Sequence, residues 1–181
     1  MRLLDRVLQQ WRVRKALPWV RAGDRLLDVG CFDRTLLERA EARVSSATGI
    51  DPLVEPGAAG KLQLLRGTFP DEERLAPGAF DCVTSLAVFE HVGDPDAFAR
   101  GCHRVLAPGG RVVLSVPHPL VDSILDGLMF LRLADGMSAE EHHGFDVAET
   151  VPIFEAAGFR LLGVRRFQLG LNRLFVFEKA E

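Results

Sequence analysis

No run within the 181 residues approaches the roughly 18 uncharged apolar residues that span a membrane. The N-terminus alternates Arg with Leu where a secretory leader would carry an apolar core. A cytoplasmic protein without a transmembrane segment is therefore expected. Cysteine is scarce: Cys31, Cys82 and Cys102 are odd in number, far apart and form no Cys-x-x-Cys pair. That pattern argues against a disulfide framework and against a cysteine-based zinc site, so no metal is expected. Internal repeats and low-complexity segments are also missing. Net charge is small, with 22 basic against 25 acidic side chains giving −3. No Asn/Asp-Pro-Pro-aromatic motif follows the fourth strand read below, and together these make a nucleic-acid partner unexpected.

What is present is ample apolar material, 48% of residues with 26% charged, enough to bury a core and far from the profile of a disordered chain. Length favours a single domain over 1–181. Charge is divided unevenly: residues 1–25 hold seven basic and two acidic groups, leaving −8 on the remainder. Leu3, Leu4, Val7, Leu8 and Trp11 have helical spacing, which predicts an N-terminal helix over 1–18 docked on the body by that stripe. Its cations are then read first as a solvated face, with a phosphate or a peripheral membrane contact as the alternative.

Short apolar runs alternate with helical patterns. Strands are expected at 24–30, 44–50, 61–65, 80–86 and 111–116, the last introduced by the turn Pro108-Gly109-Gly110. Asp94 is a candidate N-cap with Pro95 at the first helical position, and Phe98, Cys102 and Val105 recur at i, i+4, i+7. Asp146 and Glu149 read as a capping box before a helix that ends at Gly158, with Pro152 placing its regular part near Val151. Strands at 159–164 and 173–177 are close enough to pair antiparallel. Strand–helix alternation implies right-handed crossovers and a mostly parallel, doubly wound sheet. Ligands of such sheets bind beyond the carboxyl ends of the strands, where strand order reverses.

The first strand ends Asp28-Val29-Gly30, and a glycine there lets backbone approach a ligand beside a helix N-terminus. A dinucleotide fingerprint would need glycines where Phe32 and Thr35 stand, which disfavours a nicotinamide cofactor. The second strand ends in Asp51, where a carboxylate can accept both hydroxyls of a ribose.

The blocks LLDVGCFDRTLL, GIDP, FDCVTSLAVFEHVGDPDAF and HRVLAPGGRVVLSVPHP, in that order over residues 20–118, closely resemble the class I S-adenosylmethionine-dependent methyltransferases, in particular the ubiquinone and menaquinone methyltransferase group. The resemblance implies a Rossmann-like, seven-stranded α/β sheet with a C-terminal antiparallel strand pair. It implies S-adenosylmethionine as cofactor: Asp28 and Gly30 would shape the pocket for the methionine moiety, Asp51 would hold the ribose, Gly67, Thr68 and Phe69 would border the adenine, and Leu86 would lie near the sulfonium. Phe32 and Arg34 stand where the family has glycines, and Thr68 where many relatives have an acid facing adenine.

Methyl transfer by in-line displacement needs chiefly an aligned acceptor, with a general base optional. His118, after the fifth strand, and His143, before the last helix, are the base candidates, with a structural or solvated role as the first reading of each; His91 either lines the site or fixes its loop. A segment at 120–145, apolar through Leu128-Met129-Phe130-Leu131, is read as a helix packed on the fold or as a lid over an apolar acceptor. The expected activity is methyl transfer to a small organic acceptor, apolar if that lid forms. The alternative is a non-catalytic methyltransferase-like binding or scaffolding module, suggested by Phe32, Arg34 and Thr68.

Overall fold

The computed structural model describes residues 3–117 and 146–180. Its centre is an eight-stranded sheet: β1 (Arg25–Val29), β2 (Ser46–Asp51), β3 (Gly57–Ala59), β4 (Leu62–Arg66), β5 (Phe80–Leu86), β6 (Leu106–Pro117), β7 (Phe159–Phe167) and β8 (Asn172–Lys179). Strand order is β3-β4-β2-β1-β5-β6-β8-β7. The five strands from β4 to β6 are mutually parallel, and β8 and β7 run antiparallel at one edge. The expected doubly wound sheet is present with one strand more than the seven anticipated. The addition, β3, is three small exposed residues paired antiparallel to β4; Gly-Ala-Ala carries neither β-branched side chains nor a period-two pattern, so nothing in it reads as a strand.

Helices cover both faces: α1 (Leu3–Ala16) and α2 (Thr35–Ala40) on one, α3 (Pro95–Val105) and α4 (Thr150–Ala156) on the other. α3 starts as its sequence dictates. Asp94 accepts from the Ala97 N–H at 2.8 Å, Pro95 fills the first turn where no donor is needed, and Phe98, Cys102 and Val105 are fully buried. At α4, Asp146 instead caps the single turn Val147–Glu149, accepting from Ala148 N–H, and the helix proper begins at Thr150. Pro152 therefore lies in its first turn, where it breaks no hydrogen bond. Gly158, at φ +87°, ends it.

The Pro108-Gly109-Gly110 segment does not precede β6 but lies inside it. Phe80 pairs with Leu106, Cys82 with Arg111, and the chain bulges between these pairs, with Gly109 at φ +68°.

The core under α3 and α4 is aromatic. Phe89, Phe98, Phe154 and Phe177 are fully buried, with Phe154 stacked on Phe177 at 4.6 Å. The chain has 12 Phe and no Tyr, so these rings enter the core with no hydroxyl to satisfy. On the other face α1 corrects an expectation. Val13 and Ala16 are its buried residues, whereas Val7 and Trp11 are 51% and 40% exposed. The helix is rolled because Ala16 allows close approach to the sheet and because Gln9 and Arg12 face the ligand hollow described below. Gln168, in the β7–β8 loop, ties it down by donating to the Leu8 carbonyl at 2.8 Å.

Among the described residues no helix is long and apolar enough to cross a membrane.

Candidate functional site

Strand order reverses between β1 and β5, since the chain winds outward through β2 and β4 and then returns to the far side of β1. The carboxyl ends of these two strands open a crevice there. A hollow occupies it, lined by Asp28, Gly30 and Leu86 from the strand ends, Asp33 from the turn into α2, Leu36 from α2 itself, and Gln9, Arg12 and Val13 from α1.

Each wall has a local cause. Gly30 sits at φ +81°, and its amide donates to the Ile50 carbonyl at 2.9 Å. A Cβ there would come within 2.3 Å of Val88 Cγ2, so only glycine keeps this turn open. Beyond Leu86 the chain folds over through Ala87, at φ +57°, whose N–H donates to the Ser115 carbonyl at 3.0 Å; this fold brings Val88 onto Gly30. Asp33 accepts from the Gln9 amide and from Thr35 N–H, which joins the turn to α1.

Asp28 and Asp51 are both buried. Asp28 has one neutral neighbour, the Thr84 hydroxyl 2.6 Å from its Oδ1. Burial, helped by the charges of Asp33 and Asp51, pushes its pKa up to about 7. Among the described residues the lining carries two acids, Asp28 and Asp33, with Asp51 close enough to act on Asp28, and one cation, Arg12; this set suits a ligand that carries positive charge beside a carboxylate of its own. S-adenosylmethionine, with sulfonium, ammonium and carboxylate groups, fits that donor set.

Gly67 N–H donates to the Asp51 carbonyl at 3.3 Å, so the start of the 67–69 stretch adjoins the β2 terminus. A Cβ on Gly67 would fall 2.6 Å from Glu72 Oε2. The Phe69 ring turns away and packs edge-on against Phe98 at 5.1 Å; only its backbone is left to border a ligand. His118 and His143, like the 120–145 segment, lie outside the described residues. Among the described residues no three His, Cys, Asp or Glu side chains converge as metal ligands. Burial pushes the Cys31 and Cys82 thiols up to about 12, which leaves them unreactive packing groups.

The glycine departures are accommodated. Phe32 is 63% exposed and does not line the hollow. Arg34 adopts the left-handed backbone that a glycine would supply, at φ +59°, with its side chain 3.8 Å from Glu38. Such a conformation costs about 1–2 kcal/mol in an L-residue, and an exposed pair returns little. Arg34→Gly is therefore expected to raise stability by about 0.5–1 kcal/mol once glycine's greater unfolded-state entropy is subtracted. A lower urea midpoint would contradict this.

Sequence reading missed Gln9, Arg12 and Asp33 as lining residues. The signal available was the i, i+3, i+4, i+7 phase of Gln9, Arg12, Val13 and Ala16, hidden because the more apolar stripe through Val7 and Trp11 looked like the docking face.

Comparison with known proteins agrees with this geometry. Residues 2–164 match the family described as "Methyltransferase domain". Ubiquinone biosynthesis O-methyltransferase of Pseudomonas aeruginosa is 42% identical over 103 residues, a match covering 52% of this chain and 44% of that protein. The chain thus matches less than half the length of such curated relatives. Among solved structures, an S-adenosylmethionine-dependent methyltransferase from Mesorhizobium loti superposes with a TM-score of 0.71 at 19% identity, covering 92% of this chain and 95% of that one. The 1,6-didemethyltoxoflavin-N1-methyltransferase of Burkholderia thailandensis, solved with 1,6-didemethyltoxoflavin and S-adenosylhomocysteine bound, gives 0.70 at 17% identity, covering 94% of this chain and 79% of that one. At these identities the structural likenesses carry the fold alone.

Proposed function

The chain belongs to the methyltransferase-domain family, that of the class I S-adenosylmethionine-dependent methyltransferases, and from that premise we propose that it transfers a methyl group from S-adenosylmethionine to a small organic acceptor. The observation that carries this reading is the acid-lined hollow at the β1/β5 switch point, with a glycine-only turn on its floor.

When bound, the cofactor supplies a sulfonium-activated methyl group. Gly30 lets the ligand reach the backbone, and Arg12, which lines the hollow, is assigned the cofactor's carboxylate end. Asp51, buried at the β2 terminus, is assigned the ribose hydroxyls. Gly67 and Thr68, with the backbone of Phe69, are assigned the adenine edge. Leu86 forms an apolar wall of the hollow, on the side assigned to the sulfonium. With an activated leaving group, alignment of the acceptor supplies much of the acceleration. His118 and His143 are the groups assigned to take a proton from a hydroxyl acceptor. An apolar acceptor is favoured by the run Leu128-Met129-Phe130-Leu131. An oxygen acceptor is favoured by the match to the ubiquinone O-methyltransferases over half of the chain.

Titration calorimetry with S-adenosylmethionine and S-adenosylhomocysteine is expected to give heats of binding. A catechol or phenol with an apolar tail should then accept labelled methyl. His118→Ala or His143→Ala should lower kcat for such a hydroxyl acceptor by about 10²–10⁴-fold at whichever position supplies the base, with cofactor affinity kept. Absence of heat with both ligands at millimolar concentration would refute the reading. Heat without transfer to any acceptor in a cell extract would favour a non-catalytic binding module.

A further inference from the structure

The roll of α1 that brings Gln9 and Arg12 to the hollow leaves the opposite side of that helix turned to solvent, and its composition is unusual for a solvated face. Val7, Trp11 and Arg14 recur at i, i+4, i+7 and form one outward stripe. Val7, Trp11 and Arg14 border a surface depression with Arg39 of α2. Arg14 also borders a second one, with Lys15, Trp19 and Arg165 of the edge strand β7. The depressions share Arg14, so the surface is continuous from α2 across α1 to the sheet edge. Among the described residues no acid lines either. The acid beside Arg39, Glu38, is 3.8 Å from Arg34. The Arg165 guanidinium lies 5.9 Å over the Trp19 ring, which keeps a cation and an indole together at the surface.

A third apolar element stands beside the first half of α1. Gln168 and Leu169 adopt left-handed backbone at φ +52° and +58°, and Leu169 is 98% exposed. The side chain of Gln168 reaches the Leu8 carbonyl. Two successive non-glycine residues at positive φ cost free energy that a loop free to relax would avoid. Here they hold a leucine in water next to the same helix.

We infer that this surface, the outer side of α1 with Arg39, Arg165 and Leu169, docks on an anionic lipid bilayer. Charge complementarity selects that occupant: Arg14, Lys15, Arg39 and Arg165 border the two depressions that hold Val7, Trp11 and Trp19, and among the described residues no acid lines them. The interleaving selects a bilayer over a nucleic acid. An indole among arginines suits the headgroup boundary, and the aliphatic Val7 and Leu169 gain by entering the acyl layer, whereas neither has a partner along a phosphate backbone.

Co-sedimentation of the full chain with vesicles tests the inference. Binding is expected to phosphatidylcholine vesicles enriched in phosphatidylserine, with little to phosphatidylcholine alone, and should weaken with salt. Arg14→Gln/Lys15→Gln should lower the partition coefficient roughly thirtyfold, at about 1 kcal/mol for each cation near an anionic surface. Trp11→Ser and Leu169→Ser should lower it further, including at high salt. All four side chains are exposed, so circular dichroism and thermal unfolding should match the parent. The inference is overturned if neither vesicle binds, if both bind equally, or if the variants bind like the parent, which would place the contact elsewhere. It is also overturned if a short RNA or DNA duplex binds through the same cations more tightly than the vesicles do.

Discussion

Gly30→Ala should cost about 2–4 kcal/mol of stability and lower S-adenosylmethionine affinity by about tenfold or more. The stability figure combines overpacking with left-handed backbone in an L-residue, and the affinity figure follows from a shift of the floor of the hollow. The new methyl group would sit 2.3 Å from Val88 Cγ2 and 3.3 Å from Val88 Cβ, at a residue held at φ +81°. Only the first contribution depends on Val88. Gly30→Ala/Val88→Ala should therefore recover the packing share and keep the backbone share, giving a positive coupling in a double-mutant cycle. Urea unfolding and titration calorimetry on the four proteins would measure both effects. Additive single effects would show that the contact at Val88 is not what excludes a side chain at position 30.

The second large effect belongs to Asp28. Its ordinary pKa of 3.8 is raised to about 7 by burial, against the Thr84 hydrogen bond. Between these values the unfolded chain has released the proton and the folded chain still holds it, so stability falls as pH rises through that window. The contribution is fully present below pH 4 and lost above pH 7, and it amounts to about 4 kcal/mol. Asp28→Asn keeps an acceptor for Thr84 and has no proton to lose. The variant should match the parent near pH 4 and become more stable than it up to about pH 7, with a constant difference beyond. Parallel stability curves from pH 4 to 8 would show that the carboxyl is ionised throughout. The same variant should bind the cationic cofactor more weakly above pH 7, where the parent offers a carboxylate.

These two residues were legible in the sequence because they flank Val29 at the end of an apolar strand, where a polar residue or a glycine has few structural reasons to be. Strand positions were legible for a related reason. Runs such as Arg111–Val116 must be buried on both faces of a parallel sheet, so their apolar character is continuous and local. The ends of β6 were not, because its pairing continues through Pro108-Gly109-Gly110 by a bulge, and a bulge depends on the partner strand. The face of α1 was misjudged for the same kind of reason. Its local pattern favoured the Val7 and Trp11 stripe, but the helix buries Val13 and Ala16 in the core cluster that also holds Leu36, Val113 and Phe167.

By itself the sequence determined the alternation of strands and helices, the caps of α3, the four blocks at strand ends and the uneven division of charge, all of which are properties of short segments. Only the tertiary structure decided which side of the first helix meets the ligand hollow and which meets solvent. Local periodicity defines faces, but which face is buried depends on complementary surfaces supplied by residues far away in the chain.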